Sequence, residues 1–343
     1  MIFVAYVIMI DLKTKGIRSM RRIFLLCPGN SVTGGPEALH QLALALNELG
    51  QDARVVYYPF DGEFDTPLPY QSYSPRIARY SEITSDDVVI VPETRTKFIK
   101  PLPTSKIVVW WLSIDHYYGY PLSTPSFLSR FNHFFRIIKG RKLSLGQMST
   151  CLHISQSKYA VQHLLSKGLS SIKVTDYLNQ VHTSSHSEFA MKKPKVLFNP
   201  KKGYIHTSKL ISACPDIEFI RIENMSASEV QSLLNESMIY IDFGNHPGMD
   251  RLPREAALAG CAVITGRQGA ANFAQDVSIP ETFKINEFDD SFESNFRKIV
   301  LSVLENFENV TLEFDDYRQK IINGKQMFEE EVSAFIAKLD KSF

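Results

Sequence analysis

Reactive side chains are concentrated in one stretch of the chain, DFGNHPGMDRLPREAALAGCAVITG. Its charged and basic candidates are His246, Asp250, Arg251, Arg254 and Glu255. Arg251, Arg254 and Glu255 are spaced i, i+3 and i+4, so they share one face of the first turn of a helix that Asp250 can cap. Such a face can hold an anion through its arginines and vicinal hydroxyls through Glu255, and His246 can donate to a phosphate. A surface ion pair between Arg251 and Glu255 is the simpler alternative.

Two further loops also follow the predicted ends of strands. In CPGNSVTGGPEA, Gly34 and Gly35 allow close approach to the free N–H groups of a helix start, which can bind a phosphate or a sugar hydroxyl. In NPKKG, Lys201 and Lys202 can neutralise a diphosphate. An ordinary strand-to-helix turn and a solvated basic turn are the respective alternatives.

A fourth loop, NMSASE, offers Met225 to cover a planar ring and Ser226 to bind an anion at a helix start. Ser226 followed by Glu229 is also a capping box, which predicts that a helix begins here. The capping role alone suffices to explain the serine.

Short apolar runs that alternate with helical patterns must position these loops. The runs predicted to be strands are 22–27, 53–58, 87–92, 106–113, 151–156, 195–200, 217–222, 238–244 and 261–266. Near-continuous apolar runs are typical of parallel strands that are covered on both faces. The pattern predicts an α/β protein with two doubly wound parallel sheets, in which ligands bind at the carboxyl ends of the strands.

The predicted domain organisation follows from where this alternation stops and restarts. A polar stretch rich in serine and histidine interrupts it and is interpreted as a linker. The predicted segments are an N-terminal extension (1–19), a first Rossmann-like domain (20–180), a linker (181–194), a second Rossmann-like domain (195–310) and C-terminal helices that pack back toward the first domain (311–343). Residues 291–343 as a whole are predicted to form two or three helices.

Composition excludes several classes of protein. The 343 residues are 44% hydrophobic and 22% charged, as in ordinary globular proteins, and a net charge of +1 predicts no nucleic-acid partner. Four scattered cysteines lack metal-binding spacing and are interpreted as reduced core residues of a cytoplasmic protein. The apolar N-terminus MIFVAYVIMI is too short to span a bilayer, and is either an upstream extension or a weak membrane-surface anchor.

Taken together, the four loops resemble those of GT-B glycosyltransferases, particularly the group with many bacterial polysaccharide and lipopolysaccharide enzymes. GGPEALHQLALALNELG looks like the glycine-loop helix of that group, and REAALAGCAVITG like its nucleotide-binding signature. The resemblance covers nearly the whole chain after Met20. It implies a GT-B fold, a phosphate-binding role for Lys202, a ribose-binding role for Glu255 and a further donor-side loop in GRQGA, at Gly269.

The chain departs from this pattern at Pro247, where retaining members usually carry a glutamate, and it lacks the arginine that often precedes the phosphate-binding lysine. The pair His246–Pro247 is similar to one in GT-B enzymes that use CMP-activated sugars. Both the donor nucleotide and the choice between retention and inversion therefore stay open.

The resemblance implies a nucleotide-sugar co-substrate, with no cofactor and no essential metal, since basic side chains and helix N-termini stabilise the donor phosphate. An inverting reaction requires a base for the acceptor hydroxyl. Asp115 and His116, in WWLSIDHYYGY, are the first candidates and Glu37 the second. A loop cap is the alternative for Asp115, and membership of a first-turn charge pattern is the alternative for Glu37.

Residues 127–145 interleave phenylalanines with arginines and lysines. A helix of this composition can lie on an anionic membrane, where lipid-linked acceptors are found, or can pack its aromatic side chains in the core. We therefore expect a glycosyltransferase that acts on a glycan or lipid-linked acceptor, in the cytoplasm or at the inner face of the membrane. A non-catalytic protein that binds nucleotide-sugars and a sugar-nucleotide epimerase are the alternatives.

Overall fold

A computed structural model of the protein describes residues 21–179 and 192–343. The strands are β1 (Arg22–Pro28), β2 (Asp52–Tyr58), β3 (Val88–Pro92), β4 (Ile107–Trp111), β5 (Leu152–Ser155), β6 (Ile172–Lys173), β7 (Lys193–Phe198), β8 (Glu218–Arg221), β9 (Ser237–Asp242) and β10 (Ala262–Thr265). Every predicted strand is present. The two-residue strand β6 was not predicted, because it is too short to leave a hydrophobic pattern.

The helices alternate with these strands and then follow them. They are α1 (Gly34–Glu48), α2 (Ile114–Tyr118), α3 (Phe127–Ile138), α4 (Lys158–Ser166), α5 (Tyr204–Ala213), α6 (Ala227–Glu236), α7 (Arg251–Leu258), α8 (Phe292–Glu305), α9 (Phe307–Leu312), α10 (Asp315–Ile322) and α11 (Gly324–Ser342). The C-terminal region thus contains four helices, where two or three were predicted. The helices break only briefly after Glu305, Leu312 and Ile322, and the continuous charged pattern of the sequence did not reveal these breaks.

Two parallel sheets organise the fold, as the sequence predicts. The first has the strand order β2-β1-β3-β4-β5-β6 and the second the order β10-β9-β7-β8. In the first sheet, β2 lies on one side of β1 and β3 on the other, so the strand order reverses at β1. In the second sheet, β8 and β9 lie on opposite sides of β7, so the strand order reverses at β7. A crevice for ligands forms at such a switch point, outside the carboxyl ends of the strands.

The described residues divide into two compact units. One runs to Ile90 and includes Leu102–Ile107, and the other comprises Val91–Pro101 together with the described residues from Val108 to Phe343. The predicted extension (1–19) and most of the predicted linker (181–194) lie outside the described residues. The predicted domain boundaries therefore stay predictions.

Local sequence signals set several helix boundaries in the second unit. Ser226 and Glu229 form the predicted capping box at the start of α6, each accepting a hydrogen bond from the other's backbone. Helix α7 begins after Asp250, also as predicted, but the Asp250 side chain makes no capping hydrogen bond. Its carboxylate is used elsewhere.

Cys27, Cys214 and Cys261 are buried, Cys151 is partly buried, and all four are free. Within the described ranges, no helix combines the length and the hydropathy needed to cross a bilayer. Each sheet is covered on both faces, and the apolar side chains of β7, β9 and β10 lie at the centre of one continuous core.

Candidate functional site

The strongest site in the second unit lies at the switch point of the second sheet. Strands β7 and β9 are neighbours, and the loops after their carboxyl ends carry Lys202 and His246 respectively. The sequence separates these loops by about 40 residues, but the parallel pairing brings them to one edge.

An ion network joins the two loops. The Lys202 ammonium lies 2.9 Å from Asp242 Oδ2 and 2.6 Å from Asp250 Oδ2. Burial alone would lower the pKa of Lys202, but the two carboxylates outweigh it and raise that pKa above its ordinary value. Burial likewise opposes the charge of Asp250, while Lys202 and His246 outweigh it and hold the pKa of Asp250 well below its usual range. Lys202 and Asp250 therefore both remain ionised near neutral pH.

His246 is fully buried beside this network. Its Nδ1 lies 3.1 Å from Asp250 Oδ2, and its Nε2 lies 3.4 Å from the carbonyl oxygen of Asp242. The Nδ1 atom has no hydrogen bond of good geometry within the described residues, and neither has the buried Oδ1 of Asn245. Because buried polar atoms are normally satisfied, these two atoms mark a place where a ligand or water can donate or accept.

Two glycines bring the loops close enough for these contacts. Gly203 has a φ of +58°, and a Cβ there would lie 2.5 Å from the carbonyl oxygen of Phe243. Gly269 has a φ of +60°, and a side chain there would collide with the carbonyl of His246, which accepts a hydrogen bond of 2.8 Å from Ala270 N. The predicted loop at Gly269 is thus attached directly to His246.

The arginines of α7 are also paired with carboxylates. Arg254 is buried and forms an ion pair of 2.9 Å with Asp176, which raises its pKa against the effect of burial. Arg251 Nε lies 3.3 Å from Glu255 Oε1, so the ion pair considered as the simpler alternative is present. Lys201 is exposed, and its side chain has no ion pair within the described residues.

Three of the predicted cations of this site therefore already have a carboxylate partner. Lys202, Arg251 and Arg254 each contact at least one carboxylate. A lysine ammonium nevertheless carries three N–H donors, and the two aspartates take only two of them. Since a quarter of the Lys202 side chain is exposed, the third donor can reach a ligand.

Asp115 is buried and fully engaged as an acceptor. Its Oδ1 accepts from the Tyr159 hydroxyl at 2.8 Å and from Leu122 N at 3.2 Å, and its Oδ2 accepts from Asn245 Nδ2 at 2.5 Å. These contacts include the loop-capping bond that was its alternative interpretation. They also connect α2 to the loop that carries His246.

His116, the next residue, has an exposed side chain. Crowding by neighbouring groups still desolvates the ring and lowers its pKa, with a partial opposite effect from Asp115 and Asp250. A neutral imidazole near neutral pH can accept a proton. Of the predicted pair, His116 is therefore the residue available as a base.

The remaining predicted residues are not members of the ion network described above. Gly34 and Gly35 open α1 in the first unit, after an N-cap residue, Thr33, whose side chain makes no capping bond. Glu37 is the acidic residue of the first turn of α1, as its alternative interpretation expects, and it is buried and accepts a hydrogen bond of 2.8 Å from the Tyr73 hydroxyl. Met225 is 39% exposed.

The Ser226 hydroxyl is engaged in the capping box. It donates to Glu229 Oε2 at 2.7 Å and accepts from Glu229 N at 3.3 Å. An anion at this helix start would have to use backbone N–H groups instead.

Sequence reasoning missed the carboxylates and amides that complete the site. They are Asp176, Asp242, Asn245 and Gln156. Asp242 carried a usable signal, since it is a charged residue at the end of an otherwise buried strand. Asp176, 78 residues from its partner Arg254, carried none.

Ligand atoms of Asp242, His246 and Asp250 lie within 4.8 Å of one another, a spacing that a divalent cation could bridge. The Lys202 ammonium already contacts both carboxylates and supplies positive charge there. The expectation of a reaction without an essential metal stays a prediction.

A second surface of this unit is formed by α3. Of its twelve residues only His133 is buried, while Phe127, Phe131 and Phe134 are 85%, 47% and 56% exposed. The rings of Phe131 and Phe135 contact each other in a tilted arrangement, with ring centroids 4.5 Å apart. The alternative in which these aromatic side chains pack in the core is therefore wrong.

No protein-family model and no curated protein sequence matches the chain. Solved structures do. A glycosyltransferase from Rickettsia africae is 13% identical with a TM-score of 0.60, over 95% of this chain and 99% of that one. A sucrose-phosphate synthase from Thermosynechococcus elongatus is 10% identical with a TM-score of 0.69, over 94% and 100%.

A third similar structure is an alpha-glucosyltransferase in complex with UDP-glucose and DNA. It is 10% identical with a TM-score of 0.55, over 92% of this chain and 100% of that chain. At such identities the likeness establishes the fold and leaves the chemistry to the residues. The chain has the GT-B fold of glycosyltransferases.

Proposed function

We propose that the protein is a glycosyltransferase that moves a sugar from a nucleotide-sugar donor to a glycan or lipid-linked acceptor. One observation carries this proposal: the network of Lys202, Asp242 and Asp250 lies at the switch point of the second sheet. Ligands of doubly wound sheets bind at this point. The similar structures, one of them a complex with UDP-glucose, support the same class of donor.

The donor phosphate would lie against the third N–H of Lys202 and the N-terminus of α7, assisted by the exposed Lys201. The two aspartates hold the ammonium in place, so little conformational entropy is lost when the phosphate arrives. Glu255 would accept hydrogen bonds from the ribose, as the resemblance implies. In that case its contact with Arg251 orients the carboxylate.

The reaction forms a bond between an acceptor oxygen and the anomeric carbon of the sugar, and breaks the bond from that carbon to the donor phosphate. The departing nucleotide keeps the electron pair, and the acceptor hydroxyl loses its proton to a base. We assign this base to His116 for an inverting reaction, because its side chain is exposed and its pKa is lowered. Asp115, held by three donors, positions α2 against Asn245.

We further propose that α3 contacts an anionic membrane surface, which would place the protein at the inner face of the membrane. The exposed phenylalanines support this, as do the cations of the same segment. Residues 116–175 contain eight lysines and arginines and no aspartate or glutamate. Such a segment favours negatively charged lipid surfaces.

The test is a thermal-shift screen of the purified protein with UDP-, GDP-, dTDP- and CMP-sugars, followed by an assay of nucleotide release. A true donor at about 100 times its Kd stabilises the fold by about 2.7 kcal/mol. If no nucleotide-sugar stabilises the protein, the proposed donor site is wrong. Binding without turnover on a broad acceptor panel would favour the non-catalytic alternative.

Sugar transfer that fails in His116→Gln while nucleotide binding persists would support the assigned base. If His116→Gln transfers sugar at the native rate, the base must be another group.

A further inference from the structure

A second pocket in the same unit is lined almost entirely by cations. Its lining residues are Thr94, Arg95, Lys97, Arg136, Arg141 and Lys142, around a volume of about 360 Å³. They come from two segments, the turn after β3 and the end of α3. No carboxylate lines the pocket among the residues that the structure describes.

Helix capping explains only part of this pocket. Arg136 and Arg141 lie at the carboxyl end of α3, where cations stabilise the helix dipole. Arg95 and Lys97 come from a turn about 40 residues earlier and owe nothing to that helix. Bringing five like charges to one concave surface costs free energy unless a counter-charge is supplied.

Signs of this cost appear at Lys142. The residue is 6% exposed, and burial, then repulsion from Arg136 and Arg95, lower the pKa of Lys142 to about 8 although Glu93 opposes this. Glu93 itself is buried, which raises its pKa to about 7. A carboxyl that is half protonated at neutral pH compensates the pocket only in part.

The pocket is also connected to the proposed base. The Lys142 ammonium donates to the carbonyl oxygen of His116 at 3.0 Å and to that of Tyr117. The same cation therefore forms part of the pocket and supports the backbone of α2. A group bound in the pocket would lie next to the residue that we assign to the acceptor hydroxyl.

The apolar face of α3 lies beside the pocket in the chain. Arg136 lines the pocket, and Phe131, Phe134 and Phe135 are exposed on the same helix. A ligand that uses both features has a multiply charged anionic group attached to a hydrocarbon chain. A nucleic acid would use the cations and leave the phenylalanines in water.

We propose that this pocket binds the phosphate or diphosphate of a lipid-linked acceptor, whose hydrocarbon chain enters the membrane beside α3. This inference rests on the proposed function and supplies its acceptor class. The charge and the two-segment construction of the pocket carry it, together with the exposed aromatic face.

The experiment measures binding to phosphatidylcholine vesicles that contain a prenyl diphosphate, the matching prenyl alcohol or neither. Two double variants are compared with the native chain. Arg136→Gln/Arg141→Gln removes two pocket cations, and Arg130→Gln/Lys139→Gln removes two cations of the same segment that do not line the pocket. All four side chains are exposed, and unchanged thermal unfolding shows that both variants fold.

We expect binding to the diphosphate vesicles to fall at least tenfold in the pocket variant and less than threefold in its matched control, because only the pocket variant removes charge-assisted hydrogen bonds to the diphosphate. Equal losses in both variants would overturn the proposal, because the attraction would then be general. So would binding that does not distinguish diphosphate from alcohol.

Soluble competitors identify the source of the phosphate. Inorganic pyrophosphate that binds as tightly as the prenyl diphosphate would overturn the lipid assignment in favour of a free anion. A short DNA duplex that displaces the vesicles and binds more tightly would overturn it in favour of nucleic acid.

Failure of the proposed function is separable from these outcomes. A chain that binds no nucleotide-sugar but keeps the tenfold contrast between the two variants retains the pocket and loses the transferase assignment.

Discussion

Two clusters of cations in the second unit differ in how their charge is balanced. At the carboxyl ends of β7 and β9, Lys202 lies between Asp242 and Asp250, and Arg254 is paired with Asp176. Around the pocket of Lys97, Arg136 and Arg141, no carboxylate lines the surface within the described ranges. The first cluster is a preorganised framework, whereas the second is only partly compensated, by the nearby Glu93.

The largest expected effect is on the free energy of unfolding, and it distinguishes Lys202 in the first cluster from its exposed neighbour Lys201. Lys202→Met leaves the buried carboxylate of Asp242 and the partly exposed carboxylate of Asp250 without their shared cation, and should lower the free energy of unfolding by about 3–5 kcal/mol. Lys201→Met, one residue away and exposed, should change it by less than about 0.5 kcal/mol. Denaturant unfolding measures both. Similar small costs for the two variants would contradict the framework role.

The next effect concerns the carboxyl beside the pocket. Burial, opposed by the hydrogen bond from Leu112 N, raises the pKa of Glu93 from 4.5 to about 7. The folded protein therefore keeps a proton that the unfolded chain releases, and the stability contributed is complete below pH 4.5 and lost as the pH rises through 7.

Glu93→Gln should remove this dependence. We expect the difference in unfolding free energy between the native chain and Glu93→Gln to change by about 3 kcal/mol between pH 4.5 and 7.5. Urea unfolding at several pH values measures it, and the difference cancels the contributions of the histidines that both proteins share. A flat difference would mean that Glu93 has the same pKa in the folded and the unfolded chain, so that its carboxylate is ionised at neutral pH and compensates the pocket.

A smaller effect tests the aromatic face next to that pocket. Phe131→Ser/Phe134→Ser should weaken binding to anionic vesicles by about tenfold, since it removes apolar surface that the membrane would bury. Its folded stability should change by less than about 1 kcal/mol, because both rings are exposed.

The matched control for this face is Leu312→Ser/Ile322→Ser, two exposed apolar residues of the C-terminal helices. Equal losses of vesicle binding in the two variants would show that α3 has no special role at the surface.

The smallest effect distinguishes the two interpretations of Glu255. Its ion pair with Arg251 is partly solvated, so Glu255→Gln should cost at most about 0.5 kcal/mol of stability. Loss of a charged acceptor for the ribose should weaken nucleotide binding about fivefold. Glu236→Gln, which breaks an exposed pair with Lys193, is the control. If Glu255→Gln binds nucleotide as tightly as the native chain, Glu255 does not bind the ribose, and the ion pair with Arg251 is the remaining interpretation.

Local signals explain what the sequence predicted. The capping box at Ser226 and the apolar runs of the strands depend on residues a few positions apart, so the alternation and the helix starts were accessible. The position of Lys202 directly after the carboxyl end of a strand followed from the alternation as well. Its partners did not, because Asp242 and Asp250 lie 40 and 48 residues away.

Long-range packing decides the rest. The engagement of Asp115 depends on Asn245, 130 residues later, and no pattern near Asp115 contains that information. The amphipathic sequence of α3 predicts a helix with one apolar face, but it does not say whether that face finds a partner. In the folded protein the polar His133 is buried and the phenylalanines are exposed, the reverse of the usual arrangement.

The segment of residues 116–175, which contains no aspartate or glutamate, affects how the protein approaches a charged surface. It takes eight of the 38 lysines and arginines and none of the 37 aspartates and glutamates, which leaves 30 basic residues against 37 acidic ones in the rest of the chain. A chain whose net charge is +1 therefore carries a concentrated block of positive charge in this segment. An anionic membrane attracts such a block before contact, and the salt concentration sets the distance at which the attraction begins.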